Sequence, residues 1–488
     1  MACALTGCAV GPNFKPPKPD LPQHWSATAV QGSATRESTV TSSASAIANW
    51  WTSFRDPTLT SLIRRSVASN LDLREAVLRV EEAMETRDVA ADGLWPSLSA
   101  NASFTRQRLS TNTPEGALFG SGLRFPGLAP GVSITNPYNE FQLGLSASWE
   151  IDLFGQLRRS IEAANAEVQA SVDDEHGVML SLASDVAAAY IDLRGAQFKK
   201  SILEHSLTTQ RDVLQLTQQK WDAGLTAYID VANAESEVKS TEAQVPLADR
   251  EITVDINQLS ELMDLKPGAL RAELAQAKPL PPVPPTVPIG LPADLARRRP
   301  DIEQAEALLH AATARVGVAV ADLFPQITLS AAGGVQSEGL SELLHAASRF
   351  ATLGPTVSLP IFQGGALRAT VRLRKVQAKE AAIDYARTVL GALNEVEDAL
   401  AAYGADQDQR VALIAAVGAS RTALTLARQR YQGGLTSFIE VLDAERTLEQ
   451  NQLALADATT AVSTDLVHLY KTLGGGWQTG AAGAASTS

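Results

Sequence analysis

The chain has 488 residues, 45% of them apolar and 5% aromatic, with a net charge of −13 and a pI near 5.1. No run of Lys and Arg exceeds three residues. That excludes nucleic acid as a partner, which needs clustered cations to displace phosphate counterions. Both cysteines, Cys3 and Cys8, stand at the N-terminus, so the body of the chain has no thiol for a disulfide, a metal cluster or a nucleophile. No unbroken run of about 18 apolar residues is present, so a membrane crossing would have to use strands.

In chain order, "LTGC" at 5–8 resembles a bacterial lipobox, cut before Cys8 and acylated on its thiol; it reads equally well as a chance run of small residues. The residual segment 1–7 cannot hold the charged and apolar regions of a signal, so the start is set late or the signal has been trimmed. Residues 8–56 are Pro-rich, then Ser/Thr/Ala-rich, and predict an extended, poorly packed arm. A first structural repeat spans 57–278, with a helix, a β-hairpin over 96–152 and long helices. A second spans 293–474, with a helix, a hairpin over 325–362 and long helices. Between them, 279–292 holds seven prolines in "PLPPVPPTVPIGLP" and reads as an extended connector. The tail 475–488 is expected to be disordered.

The duplication carries this division. "GLTAYIDVANAE" (224–235) and "GLTSFIEVLDAE" (434–445) are 210 positions apart and agree at seven of twelve positions. "LWPSLSANASF" (94–104) and "LFPQITLSAAG" (323–333) match at an offset of 229. The change of 19 between the offsets places loops of unequal length inside the hairpins, the longer over about 106–140. Within the hairpins, 98–105 and 141–151 alternate strictly between apolar and small polar residues, as do "ITLSA" and "TVSLPI" in the second repeat. A soluble sandwich gives the same alternation. Against it stand a wet face of Ser, Thr, Asn, Gln and Gly and strand lengths of about 10 residues, which suit a tilted bilayer crossing.

The rest reads as helix. No proline occurs from Tyr138 to Val245 or after Pro360, and Leu157, Ile161, Ala164 and Val168 advance by alternate steps of four and three. A helix over 156–222 would be about 100 Å long and needs coiled-coil packing. Gly224, Gly433 and Gly434 end such rods and a Thr or Ser opens the next helix, so each repeated motif is a helical hairpin tip. Four membrane-type strands cannot close a barrel, since an open edge in lipid leaves backbone groups unpaired. Several chains must share one, and three would supply twelve strands.

Taken together, "LTGCAVGPNFKPP", the paired "LWPSL" and "LFPQI", the paired tips and the C-terminal "LGGGW" resemble the outer membrane efflux protein family, TolC-like channels, and within it the OprM-type lipoprotein branch. The resemblance covers nearly the whole chain. It implies a mainly α fold with a transmembrane β-barrel: a homotrimer with a 12-stranded barrel continuous with a coiled-coil periplasmic tunnel. It implies a lipid on Cys8, an outer membrane location, no cofactor and no metal. The implied role is the exit duct of a tripartite pump, with a periplasmic adaptor (membrane fusion protein) and an inner-membrane RND-type transporter as partners. The family's inward acidic gate positions match Glu440 and Asp443, one helical turn apart, where a trimer would gather a ring of carboxylates that favours cations. The S-x-x-E spacing of Ser437 and Glu440 also reads as a capping box. The family's latch matches Tyr431 and Asp230, while its basic partner falls on Thr436. Gly224, Leu225, Gly434 and Leu435 match the adaptor-facing surface and are equally suited to plain turn formation.

No H-E-x-x-H, Walker loop or G-x-S-x-G elbow occurs, which argues against an enzyme. Two alternatives remain: the outer membrane duct of a type I protein secretion system, and a non-conducting periplasmic coiled-coil scaffold. The exported substrate is not encoded legibly.

Overall fold

A computed structural model describes residues 9–19, 21–26, 37–41, 47–110, 112–113, 136–295 and 297–478. Cys8 and most of the long hairpin loop lie outside the described residues. The elements run in the same order twice along the chain. Helices α1 (Pro57–Ser69) and α2 (Leu71–Asp92) lead into strands β2 (Ser97–Gln107) and β3 (Tyr138–Ile151), then helices α3 (Gln156–Asp222) and α4 (Tyr228–Leu262). In the second repeat α5 (Pro300–Ala321) precedes β5 (Gln326–Ser337), β6 (Arg349–Ser358), α6 (Ala366–Gln432) and α7 (Phe438–Thr472). Both α2 and α5 have 22 residues, α3 and α6 have 67, and α4 and α7 have 35. Short strands β1 (Thr39–Thr41) and β4 (Thr286–Pro288) pair in parallel.

Two compact units cut across the repeats instead of following them. The first holds 1–15, 83–168 and 308–381. In it a four-stranded antiparallel sheet has the order β2-β3-β5-β6. Register is fixed at its centre by Gly144 opposite Gly334. A Cβ on Gly334 would stand 2.2 Å from the Leu143 carbonyl oxygen, and one on Gly144 would stand 2.8 Å from that of Gly333. The two hairpins therefore meet where neither strand has room for a side chain. Apolar residues of the sheet are open to the surroundings, Leu98 at 70%, Leu353 at 76% and Val357 at 64% exposure. That is not how a soluble sandwich buries its oily face. The segment after Cys8 is tied down in this unit. Val10 N–H donates to the Phe154 carbonyl at 3.1 Å, and Arg159 donates to the Val10 carbonyl at 3.2 Å and to Asn13 Oδ1 at 2.6 Å. Phe14 stacks on His310, centroids 4.4 Å apart.

The second unit, 16–82, 169–307 and 382–488, holds the larger core. Its N-terminal part is packed, unlike the loose arm expected, because its aromatic residues find apolar cover. Trp25, Trp50, Trp51 and Phe54 are buried, Trp50 stacks on Tyr470 with centroids 5.2 Å apart, and Trp25 Nε1 donates to the Gly290 carbonyl at 3.2 Å. The proline-rich connector joins this packing through β4. The start of the expected tail is ordered too: Trp477 stacks on His176 and donates to the Arg298 carbonyl at 2.9 Å. Residues 479–488 lie outside the described residues.

One described helix, α6, contains an 18-residue window of mean hydropathy 1.3, only 17% buried, long and apolar enough by those measures to cross a membrane. Scattered polar residues interrupt that window, so no unbroken apolar run marks it in the sequence.

Two positions in this unit give measurable consequences. Asp56 caps α1, its Oδ1 accepting from Thr58 N–H at 2.7 Å and Leu59 N–H at 3.2 Å, while fully buried Tyr190 donates its hydroxyl to Oδ2 at 2.7 Å. Asp56→Ala removes the cap and orphans the phenol, for an expected loss of about 2 kcal/mol or more. Asp56→Asn should lose less, and urea denaturation of both would show the order.

Asp465 on α7 faces Asp406 on α6, and burial, then the bond to Asp406 and its charge, hold the Asp465 carboxyl up to about 7. A folded carboxyl raised above its unfolded value of about 3.9 gives stability that is full below that value and lost as pH rises toward 7. The slope is at most about 1.4 kcal/mol per pH unit before solvent screening reduces it. The urea midpoint is thus expected to fall between pH 5.5 and pH 8, and to fall less in Asp465→Asn; equal slopes would show that the pair is not responsible.

Candidate functional site

The site is built at the two helical hairpin tips, both in the second unit. Each long helix ends in the same backbone device. After α3, Gly224 N–H donates to the Trp221 carbonyl and Leu225 N–H to that of Lys220, both at 2.8 Å. After α6, Gly434 N–H donates to the Tyr431 carbonyl at 3.1 Å and Leu435 N–H to that of Arg430 at 2.9 Å. These crossed bonds satisfy carbonyls left over at a helix end, and they require a left-handed residue. Gly224 and Gly434 supply it at φ +69° and +70°. Neither lacks space for a Cβ, so conformation alone selects glycine. Leu225 and Leu435 follow, 75% and 73% exposed.

The second tip is closed from within by Phe438, 2% exposed, which packs with Ala234, Leu424, Val441 and Leu442. Tyr431 lies against it, ring centroids 5.3 Å apart, and the Lys220 ammonium from the first tip sits 3.8 Å over the Tyr431 ring. A cation on an aromatic face contributes about 0.5–1 kcal/mol or more here and ties the two hairpins to each other.

Tyr431 and Asp230 are brought close across the hairpins without bonding directly. The Thr226 hydroxyl donates to Asp230. Burial, with Asp230's charge adding to it, pushes the Tyr431 phenol above its ordinary range, opposed by Thr226 and Thr217. The Thr436 hydroxyl is buried and closes no hydrogen bond among the described residues. The position at which the resemblance implies a basic partner thus carries a neutral side chain.

Glu440 and Asp443 lie on α7 immediately after the tip, both exposed. Ser437 occupies the N-cap of α7, yet its side chain accepts no capping hydrogen bond, so the capping box that its spacing allows is not formed. The capping box therefore does not account for the acid at 440, which stands in the first turn of α7, where the helix dipole favours a negative charge. Helix capping is absent at the first tip as well, where Ala227 holds the N-cap and Thr226 bonds Asp230.

The sequence reading missed the belt of charge above the tips. Arg428 donates to Glu445 at 2.5 Å, Arg446 to Glu237 at 2.7 Å and Gln210 to Glu449 at 3.1 Å. All three carboxylates are buried. Burial pushes the Glu445 and Glu449 carboxyls up, and Arg428 opposes it at Glu445. Buried charges of this kind are expensive unless paired, and each pair ties α7 to a different helix: α6, α4 and α3. The only sequence signal was the spacing of Glu445 and Glu449, one helical turn apart.

The sequence pattern described as "Outer membrane efflux protein" matches residues 62–264 and 291–475. The chain is 32% identical over 467 residues to "Nodulation protein T" of Rhizobium leguminosarum bv. trifolii, covering 93% of this chain and 91% of that protein. It is 33% identical over 491 residues to "Antibiotic efflux pump outer membrane protein ArpC" of Pseudomonas putida, covering 99% and 96%. Its fold is similar to the solved outer-membrane channel OprN, with a TM-score of 0.84 and 35% identity over 96% of this chain and 100% of that one.

Proposed function

The chain belongs to the outer membrane efflux protein family, and from that premise we propose that three copies assemble into one duct whose periplasmic end is closed by the hairpin tips. It is an outer membrane exit channel of an efflux pump and not a member of an enzyme family. The reading rests above all on the four-stranded sheet. Its apolar residues are uncovered and its two outer strands, β2 and β6, each pair on one side only, so further copies and lipid would complete it. Three such sheets give a barrel of twelve strands. Val376, Ile383 and Leu390, seven residues apart on α6 and 60%, 68% and 61% exposed, supply a heptad stripe for a neighbouring copy.

In this arrangement Glu440 and Asp443 ring the narrow periplasmic mouth, and Tyr431, with Lys220 over its ring and Asp230 close by, stands where the two hairpins meet. Gly224, Leu225, Gly434 and Leu435 meet a periplasmic adaptor that leads to an inner-membrane RND-type transporter. A lipid on Cys8 anchors the arm, which Arg159 and His310 then guide along the first unit. No cofactor is needed, because a duct passes cargo down a gradient set by its transporter.

The deciding experiment is single-channel recording in a planar bilayer with detergent-extracted protein already shown to be trimeric. Small, cation-selective conductance supports the duct. Folded trimers that never conduct would instead favour the scaffold.

A further inference from the structure

Away from the tips, the second unit brings five aspartates to one open cleft of about 410 Å³: Asp72 on the first turn of α2, Asp173, Asp174 and Asp185 on α3, and Asp301 on α5. Among the described residues no Lys, Arg or His lines it, and Val178, Leu182 and Leu262 supply an apolar wall. Three of the aspartates are reached by cations from outside the lining: Asp174 by Arg79 at 3.7 Å, Asp185 by Lys471 at 3.4 Å and Asp301 by Arg299 at 2.7 Å.

Asp173 differs. It is 2% exposed, and its Oδ1 accepts from Gln169 Nε2 at 2.9 Å. Its Oδ2 is buried with no hydrogen-bond partner among the described residues. The charges nearest it from α5 are also negative: burial, then Glu306, push the Asp173 carboxyl up to about 6, and burial, then Asp173 and Glu306, push Glu303 up to about 7. A buried acceptor without a donor costs about 1–3 kcal/mol. Here it stands in the wall of a cleft whose every lining charge has the same sign, so the missing group is a cationic donor.

We propose that this cleft binds a linear polyammonium compound, with its methylene segments on Val178, Leu182 and Leu262, one ammonium donating to Asp173 Oδ2 and another to the outer aspartates. Among the described residues no acids or histidines converge closely enough to hold a metal ion. Carboxylates spread around an apolar wall match a ligand whose positive groups are separated by hydrocarbon, as a point cation does not. Ammonium–carboxylate hydrogen bonds are charge-assisted and about twice as strong as neutral ones.

The test is calorimetric titration of spermidine into the full-length detergent-solubilised protein at pH 8, where the outer carboxylates are charged. Saturable binding is expected, weakened about tenfold or more in Asp173→Asn and about threefold in Asp72→Asn, an exposed substitution that leaves the buried packing untouched. MgCl2 at matched ionic strength should not displace the ligand. Absence of saturable heat, or wild-type affinity in Asp72→Asn together with displacement by Mg²⁺, overturns the proposal in favour of simple screening. Should Asp173→Asn fail to fold, Asp72→Asn and the Mg²⁺ competition still decide.

Discussion

Phe438→Ala is expected to destabilise the second hairpin tip by about 3–5 kcal/mol, the cost of deleting a fully buried aromatic side chain. Phe438 is 2% exposed and fills the space among Ala234, Leu424, Val441 and Leu442. Tyr431, which leans on the ring, would lose its support. The loss would appear locally, because the long helices above have their own cores. Hydrogen exchange should accelerate in residues 431–445 while the rest of the second unit keeps its protection. Ile439→Ala next door is the control: at 47% exposure it should cost well under half as much. Equal effects from the two substitutions would mean that the tip is not held by its buried ring. If the tips close the duct, Phe438→Ala also leaks in a planar bilayer.

Removing both carboxylates in Glu440→Ala, Asp443→Ala is expected to abolish cation preference and raise conductance several-fold, with little change in stability. Both side chains are exposed and neither caps a helix, so deletion leaves no buried partner behind. In a trimer each pair would add charge to one ring, and a ring of like charge at a constriction sets ion selectivity. Surface screening makes the difference largest at low salt, within the Debye length of about 10 Å at 0.1 M. Reversal potentials across a KCl gradient give the selectivity directly. Unchanged selectivity would move the acidic constriction elsewhere and leave Glu440 and Asp443 as solvated surface.

Much of this architecture could be read in the residues because the chain carries each statement twice. The offsets of 229 and 210 placed paired helices and strands, and glycines at equivalent positions marked the two tips where only a left-handed residue closes the turn. Alternation and heptad spacing are local signals, set by the periods of strand and helix, so they survive in one dimension. The tip charges were named, but the belt that pairs Arg446 with Glu237 and Arg428 with Glu445 was not. Those partners are 209 and 17 residues apart, and nothing in the intervening sequence records the distance between them. The same holds for the aromatic packing of the arm: Trp25 and Trp50 stand in a Ser- and Pro-rich stretch, and Gly290, Tyr470 and Gly475 meet them from far along the chain.

By itself, then, the sequence determined the duplication, the alternation of strand and helix, and the glycine turns, because each is enforced by backbone geometry within a few residues. Only the tertiary structure decided that Ser437 makes no capping hydrogen bond, and that the Thr436 hydroxyl and Asp173 Oδ2 are buried with no hydrogen-bond partner among the described residues. Those outcomes depend on which groups from distant segments arrive within about 3 Å, the range over which a hydrogen bond exists at all.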